Sequence, residues 1–454
     1  MQHQARFLQG SISKHVITMS ATNAVGLSAI FMVDLVDIYF ISLLQNSAYT
    51  AAIGYASAII FFTTAISLGL STTNSAIVSK HIGQKKRDLA RQYVAHISLF
   101  ALFFTSFIAL LVWIYAPQLL SVIGAKGEEL SESITYLRII TPSLPILALT
   151  MQMNATLRSI GNAKHAMYAT LLSGIVNALL DPIFIFVLGM DLQGAAIASV
   201  IARFSALFLS LFYVAYKYKM ICLPKFKKLP MDMNIISHIA FPAMLTQIAT
   251  PLGNIYVTYE VAQFGSEYIA GWAIIGRVIP VAFGMMFAVS GAIGPIIGQN
   301  YGAGDFVRVR QVLVEALKFI SGYCLVISLL LSLGQESIVN LFSAKNESAH
   351  IIRIFCQHIA ITFIFTGITF VAMAFLNNLG YAKYATVLNI AKMTLGTVPF
   401  VTIGAIYYGA PGILYGQAFG SVAFGLIALQ LTHKVMQRVE SSQKEENIDQ
   451  SSSY

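Results

Sequence analysis

Charge is what this sequence has least of, and that scarcity decides its class. Asp, Glu, Lys and Arg make up 10% of the 454 residues, against about a quarter in soluble domains. Cysteine is also rare. Cys222, Cys324 and Cys356 are odd in number and lack metal-ligand spacing, which argues against a disulfide framework or a zinc site. No GxxxxGK[ST] loop is present, so ATP is not the energy source. A nucleophile–base constellation is missing as well, which weighs against a membrane-embedded enzyme. Alternating polar and apolar runs at barrel-strand spacing are absent, which excludes a β-barrel.

What the chain does have is apolar length. Hydrophobic residues make up 57% of it. A bilayer core of about 30 Å needs about 20 apolar residues per helix, and twelve stretches meet that requirement. The first six lie at 16–44, 50–79, 93–116, 131–157, 163–188 and 193–217. The second six lie at 236–263, 268–298, 312–334, 350–377, 383–408 and 411–436. The expected class is therefore an all-α integral membrane protein. Its segments are a six-helix bundle over 1–217, a basic linker over 218–235, a second bundle over 236–436 and a disordered tail over 437–454.

The net charge of +9 comes from basic residues on alternate loops, such as Lys85, Lys86 and Arg87, or Lys225, Lys227 and Lys228. The loops between are neutral or acidic, as with Glu128, Glu129 and Glu132. By the positive-inside rule both termini are cytoplasmic. The charge is thus an orientation signal, and nucleic acid is not an expected partner.

The chain also matches itself at a shift of 219 residues. Ser47, Tyr49 and Ala51 fall on Ser266, Tyr268 and Ala270, and Gly161, Ala163 and Lys164 fall on Gly380, Ala382 and Lys383. Six helices is an even number, so the two halves form a parallel repeat and predict alternating access by rocking. The polar interior of the first half is not repeated. Asp34, Asp37, Asn177 and Asp181 correspond to Gly253, Tyr256, Gly396 and Phe400.

An ionisable residue within a membrane span is a functional candidate by default. Asp34 and Asp37 are three residues apart, and Asn177 and Asp181 four apart, so each pair shares a helix face. Pro182 lacks an N–H and frees the carbonyl of Ala178. The resulting oxygen-rich cluster suits a proton or a sodium ion. If sodium is the ion, Asp37, Asn177 and Asp181 are its expected ligands. Glu260 is a weaker second candidate near a helix end. Lys392 and Arg277 also interrupt apolar stretches, and snorkelling or a structural ion pair is the expected role of each.

The stretches MVDLVDIYFISLL, GAKGEELSESITYLRI, LRSIGNAK and NALLDPIFIFVLGMDLQGAAIAS resemble the multidrug and toxic compound extrusion (MATE) family. The similarity runs over essentially the whole chain and is nearest to the DinF-like branch. The resemblance implies a cation site in the first half using Asp37, Asn177, Asp181 and Ser199, with Asp34 the least transferable member. Tyr136 and Asn154, with Asp37, match positions near the family's substrate cavity. It also implies a secondary antiporter that exports amphipathic, often cationic organic compounds in exchange for H+ or Na+, with no other cofactor. The expected form is a monomer in the bacterial inner (plasma) membrane. A NorM-like second-half site is not expected, because the helix-7 position is Gln247 and 350–377 holds no carboxylate. The alternative is a flippase of the wider superfamily that handles lipids or lipid-linked oligosaccharides; an enzyme or a channel ranks below it.

Overall fold

A computed structural model describes residues 5–452; the side chains of Asp34, Ser47 and residues 442–452 lie outside that description. The expected role of Asp34 therefore falls outside the described residues. Among them, eleven helices are long and apolar enough to cross a membrane. In chain order they are α1 (Ile12–Ser42), α2 (Ser47–Gly83), α3 (Arg87–Ile114), α4 (Gly127–Ser159), α5 (Ala163–Val187) and α6 (Asp191–Lys217). There follow α7 (Phe226–Ala262), α8 (Ser266–Gly302), α9 (Phe306–Leu333), α10 (Asn346–Asn378) and α11 (Ala382–Ser441). Large apolar side chains such as Phe103, Phe208 and Val281 are more than 70% exposed on these helices, as expected where the solvent is lipid.

The longest of these segments, α11, has 60 residues. At about 1.5 Å per residue that far exceeds a bilayer core of about 30 Å. It is interrupted where Gly409 takes φ 64°, a left-handed value that favours glycine. The backbone then stays helical to Ser452, where composition predicts a disordered tail. Glu, Lys and Gln in that stretch are good helix formers.

The 219-residue register recurs in the element boundaries. Ser47–Gly83 becomes Ser266–Gly302, Arg87–Ile114 becomes Phe306–Leu333, and Leu144–Ser159 becomes Phe363–Asn378. Even the 3-10 turn Thr141–Ser143 that bends α4 returns as Ala360–Thr362 in α10. Gly409 lies 219 residues after Met190, in the connector that separates α5 from α6.

Contacts divide the chain into two compact units. One comprises Thr22–Ile248 with the short stretch through Arg6, the other Phe7–Ala21 with the chain from Ala249 onward. The boundaries therefore lie inside α1 and α7 and not at the 218–235 linker. Packing within the first unit explains the second boundary. A Cβ on Gly69 of α2 would lie 2.5 Å from the Met244 Cα, so only glycine lets the start of α7 approach so closely. Ile236, Ala240 and Met244 join Leu70, Ile97 and Ala101 in one apolar cluster.

Polar contacts fix the linker to α3. The Arg87 and Arg91 guanidinium groups donate to the carbonyls of Tyr218 and Ile221. Gln92 Nε2 donates to Asp232 Oδ2 at 2.6 Å, and His96 Nδ1 lies 2.7 Å from the same oxygen. The Lys225 N–H donates to His96 Nε2 at 3.1 Å, so the ring proton belongs on Nδ1. All three side chains are buried. Asp232→Ala would leave two buried donors without an acceptor, and breaking such an arrangement costs roughly 3 kcal/mol. The expected result is a clear fall in the thermal unfolding midpoint of the purified protein. An unchanged midpoint would contradict it.

Candidate cation site

The site is built where α1, α5 and α6 pack within the first unit. Small residues set the approach. A Cβ on Gly174 of α5 would meet Val33 Cγ2 of α1 at 3.0 Å, and one on Gly194 of α6 would meet the Phe184 carbonyl carbon at 2.7 Å. The Ser173 hydroxyl donates to the Ala202 carbonyl at 3.0 Å and fixes α5 against α6 one turn from Asn177. One turn beyond Asp37 and Asp181, Ile41 and Ile185 are buried in an apolar cluster with Leu192 and Ala196. That cluster packs apolar side chains against one end of the site.

Asn177 is the hub. Its Nδ2 donates to Asp37 Oδ1 at 2.9 Å and to Asp181 Oδ2 at 2.7 Å. Its Oδ1 accepts from the Ser199 hydroxyl at 3.3 Å. The orientation follows from the network, since only the amide nitrogen can donate to two acids. Asn177 and Asp181 are buried and Asp37 is half-buried. Asp37 and Asp181 thus converge on one amide nitrogen, and two carboxyl groups brought together in this way favour uptake of a proton or a cation between them. Asp181 Oδ1 is sealed from solvent and has no hydrogen-bond partner among the described residues. Pro182 is followed by a π-helical turn, Ile183–Val187, which ends α5 just beyond the acid.

Four of the residues expected from the sequence thus meet: Asp37, Asn177, Asp181 and Ser199. Tyr136 is buried in the apolar cluster that contains Ile41 and Ile185, together with Leu137 and Ile140. Asn154 is buried on α4, and its Oδ1 finds no partner among the described residues. Glu260 is half-buried near the end of α7, 3.5 Å from the Gln263 amide. Sequence reading missed Arg203, one turn beyond Ser199 on α6, whose Nη1 donates to the Ser143 hydroxyl at 2.7 Å. A lone charge inside an apolar span was the available signal. Arg277 is exposed, consistent with snorkelling, but Lys392 is buried and neither snorkels nor forms an ion pair among the described residues.

The MatE family model matches this chain twice, over residues 24–183 and 242–403. A FAD transporter from Shewanella oneidensis is 25% identical over 448 residues, covering 97% of this chain and 99% of that protein. The multidrug export protein MepA of Staphylococcus haemolyticus is 24% identical, covering 95% of this chain and 96% of its own length. The crystal structure of the Vibrio cholerae MATE transporter VcmN in its bent form superposes with a TM-score of 0.89. It is 25% identical and covers 94% of this chain and 98% of that one.

Proposed function

This chain belongs to the MatE family of secondary transporters, and from that premise we propose that it exports amphipathic, often cationic organic compounds while protons enter through Asp37. Asn177, Asp181 and Ser199 hold Asp37 in place, and Tyr136 and Asn154 belong to the substrate path. One observation carries the choice of proton. The Asn177 amide turns its nitrogen toward both acids and its oxygen toward Ser199. A sodium ion between the acids would meet that NH2 group, whereas a proton shared by the carboxyl groups needs no further ligand.

The topology we propose has twelve spans, with Gly409 dividing α11, arranged as two parallel repeats of six. Both termini face the cytoplasm of a bacterial inner membrane, as the basic loops favour. Within the family the lack of a carboxylate at 350–377 supports the DinF-like branch. A second reading, that the substrate is a flavin dinucleotide, is favoured by the Shewanella relative, which aligns over nearly its whole length.

Exchange of one proton for one monovalent cation moves no net charge, so it draws on the pH gradient alone, about 1.4 kcal/mol per pH unit. Inverted membrane vesicles test this. Under an imposed pH gradient a cationic dye should be transported, and a sodium gradient at clamped pH should drive nothing. Transport driven by sodium alone would overturn the proton assignment, and no transport under either gradient would overturn the exporter.

A further inference from the structure

The second unit contains a buried lysine, Lys392, that forms no ion pair among the described residues. Thr386, Asn389 and Lys392 recur every three residues on α11, along one face of the helix. All three are buried, with Lys392 only 7% exposed. Asn389 Nδ2 donates to Thr250 Oγ1 on α7 at 3.3 Å. The Thr397 hydroxyl donates to the Lys392 carbonyl at 3.0 Å. A Cβ on Gly396 would meet that same carbonyl and the Phe424 ring, so only glycine fits at the end of this helical segment.

No described carboxylate neutralises Lys392. Glu260, Glu267 and Asp305 bond to Gln263, Asn346 and Arg308. Further along, Glu315, Glu336, Glu347 and Glu440 pair with Lys318, Arg353, Tyr268 and Arg310. A lysine kept for packing would be paired, and one facing lipid would carry its ammonium to the interface. An unpaired buried charge is costly and in a membrane span marks function by default. The corresponding residue of the first unit, 219 positions earlier, is Ser173. The repeat is thus broken a second time: Asp37 and Asp181 of the first unit correspond to Tyr256 and Phe400 of the second, and Lys392 of the second to Ser173 of the first.

A buried lysine one helical turn from Asn389, itself bonded to Thr250, with no described acid bonded to it, suits an anionic oxygen group, and lysine binds phosphate as a point charge. We propose that Lys392, with Asn389 and Thr250, forms an anion subsite that takes a phosphate group of an organic substrate. The inference rests on the transport reading above. Its test is equilibrium binding without any gradient, so a wrong coupling ion leaves it untouched.

Riboflavin, FMN and FAD supply one ring system with zero, one and two phosphates. Their binding to purified full-length protein is followed by flavin fluorescence in phospholipid-free detergent. The parent should bind FMN and FAD at least about tenfold more tightly than riboflavin, as expected for a hydrogen bond to a charged group. Inorganic pyrophosphate should compete. Lys392→Met should remove the phosphate increment while riboflavin affinity stays the same, and Lys392→Arg should retain part of it. Equal affinity of the parent for all three flavins would overturn the proposal even if Lys392→Met failed to fold. So would an equal loss of riboflavin binding in Lys392→Met. Adding phosphatidylglycerol distinguishes a lipid headgroup: displacement of FAD by this lipid but not by pyrophosphate would assign the subsite to lipid and overturn the substrate role.

Discussion

Asp37→Asn should abolish export. Cells carrying the variant should accumulate a cationic dye to the level of cells without the transporter, a loss of at least about a hundredfold in efflux rate. Its amount in the membrane should match the parent. The reason lies in what the substitution keeps and what it removes. Asparagine has nearly the same size, and its oxygen still accepts from Asn177 Nδ2, which now bonds Asp37 at 2.9 Å. The packing of Val33 on Gly174 is untouched, so α1 should stay against α5. What disappears is the group that can alternate between charge and proton. Asp181 then loses the acid with which it shares the Asn177 amide nitrogen. Export uncoupled from an ion gradient runs only downhill, and a toxic compound is no longer expelled against its gradient. A variant that still lowered dye accumulation like the parent would move the coupling site elsewhere, with Glu260 the first residue to replace.

Much of this architecture was legible in the residues, for identifiable reasons. Membrane spans leave a signal of about 20 apolar residues each, because every backbone polar group must be satisfied inside the helix. The internal sequence match is a second signal, and the helix boundaries recur at the same 219-residue spacing as the matched loops. The acidic cluster stood out because a carboxylate in an apolar helix is costly, and the i, i+4 spacing of Asn177 and Asp181 placed them on one face. Other features depend on contacts that a single helix does not encode. The boundary inside α7 follows from the Gly69–Met244 approach and from the bonds of Asp232 to Gln92 and His96, which join residues about 140 positions apart. Pairing was likewise invisible. Arg203 and Lys392 look alike as lone charges in apolar helices. Yet Arg203 donates to Ser143, whereas no described acid meets Lys392.

Replacing Asn177 should come close to replacing Asp37 in its effect, although asparagine carries no charge. Its two N–H groups are both spent on carboxyl oxygens, at 2.9 and 2.7 Å. Hydrogen bonds to ionised groups contribute about 1.5–3 kcal/mol each, so Asn177→Ala should slow efflux roughly ten- to a hundredfold. Asp181→Ala should cost a similar amount, because it removes the acid that faces Asp37 across the same amide. The two losses are not independent. Once Asp181 is gone, Asn177 has only Asp37 and Ser199 left to position, and part of its contribution has already been lost. The double variant should therefore be less impaired than the product of the single effects, with a coupling of about 0.5–3 kcal/mol, as residues in one network show. A double-mutant cycle on initial efflux rates, normalised to membrane protein, measures that term directly. Strict additivity would mean that Asp181 and Asn177 act on different steps, and the shared proton between Asp37 and Asp181 would then have to be abandoned.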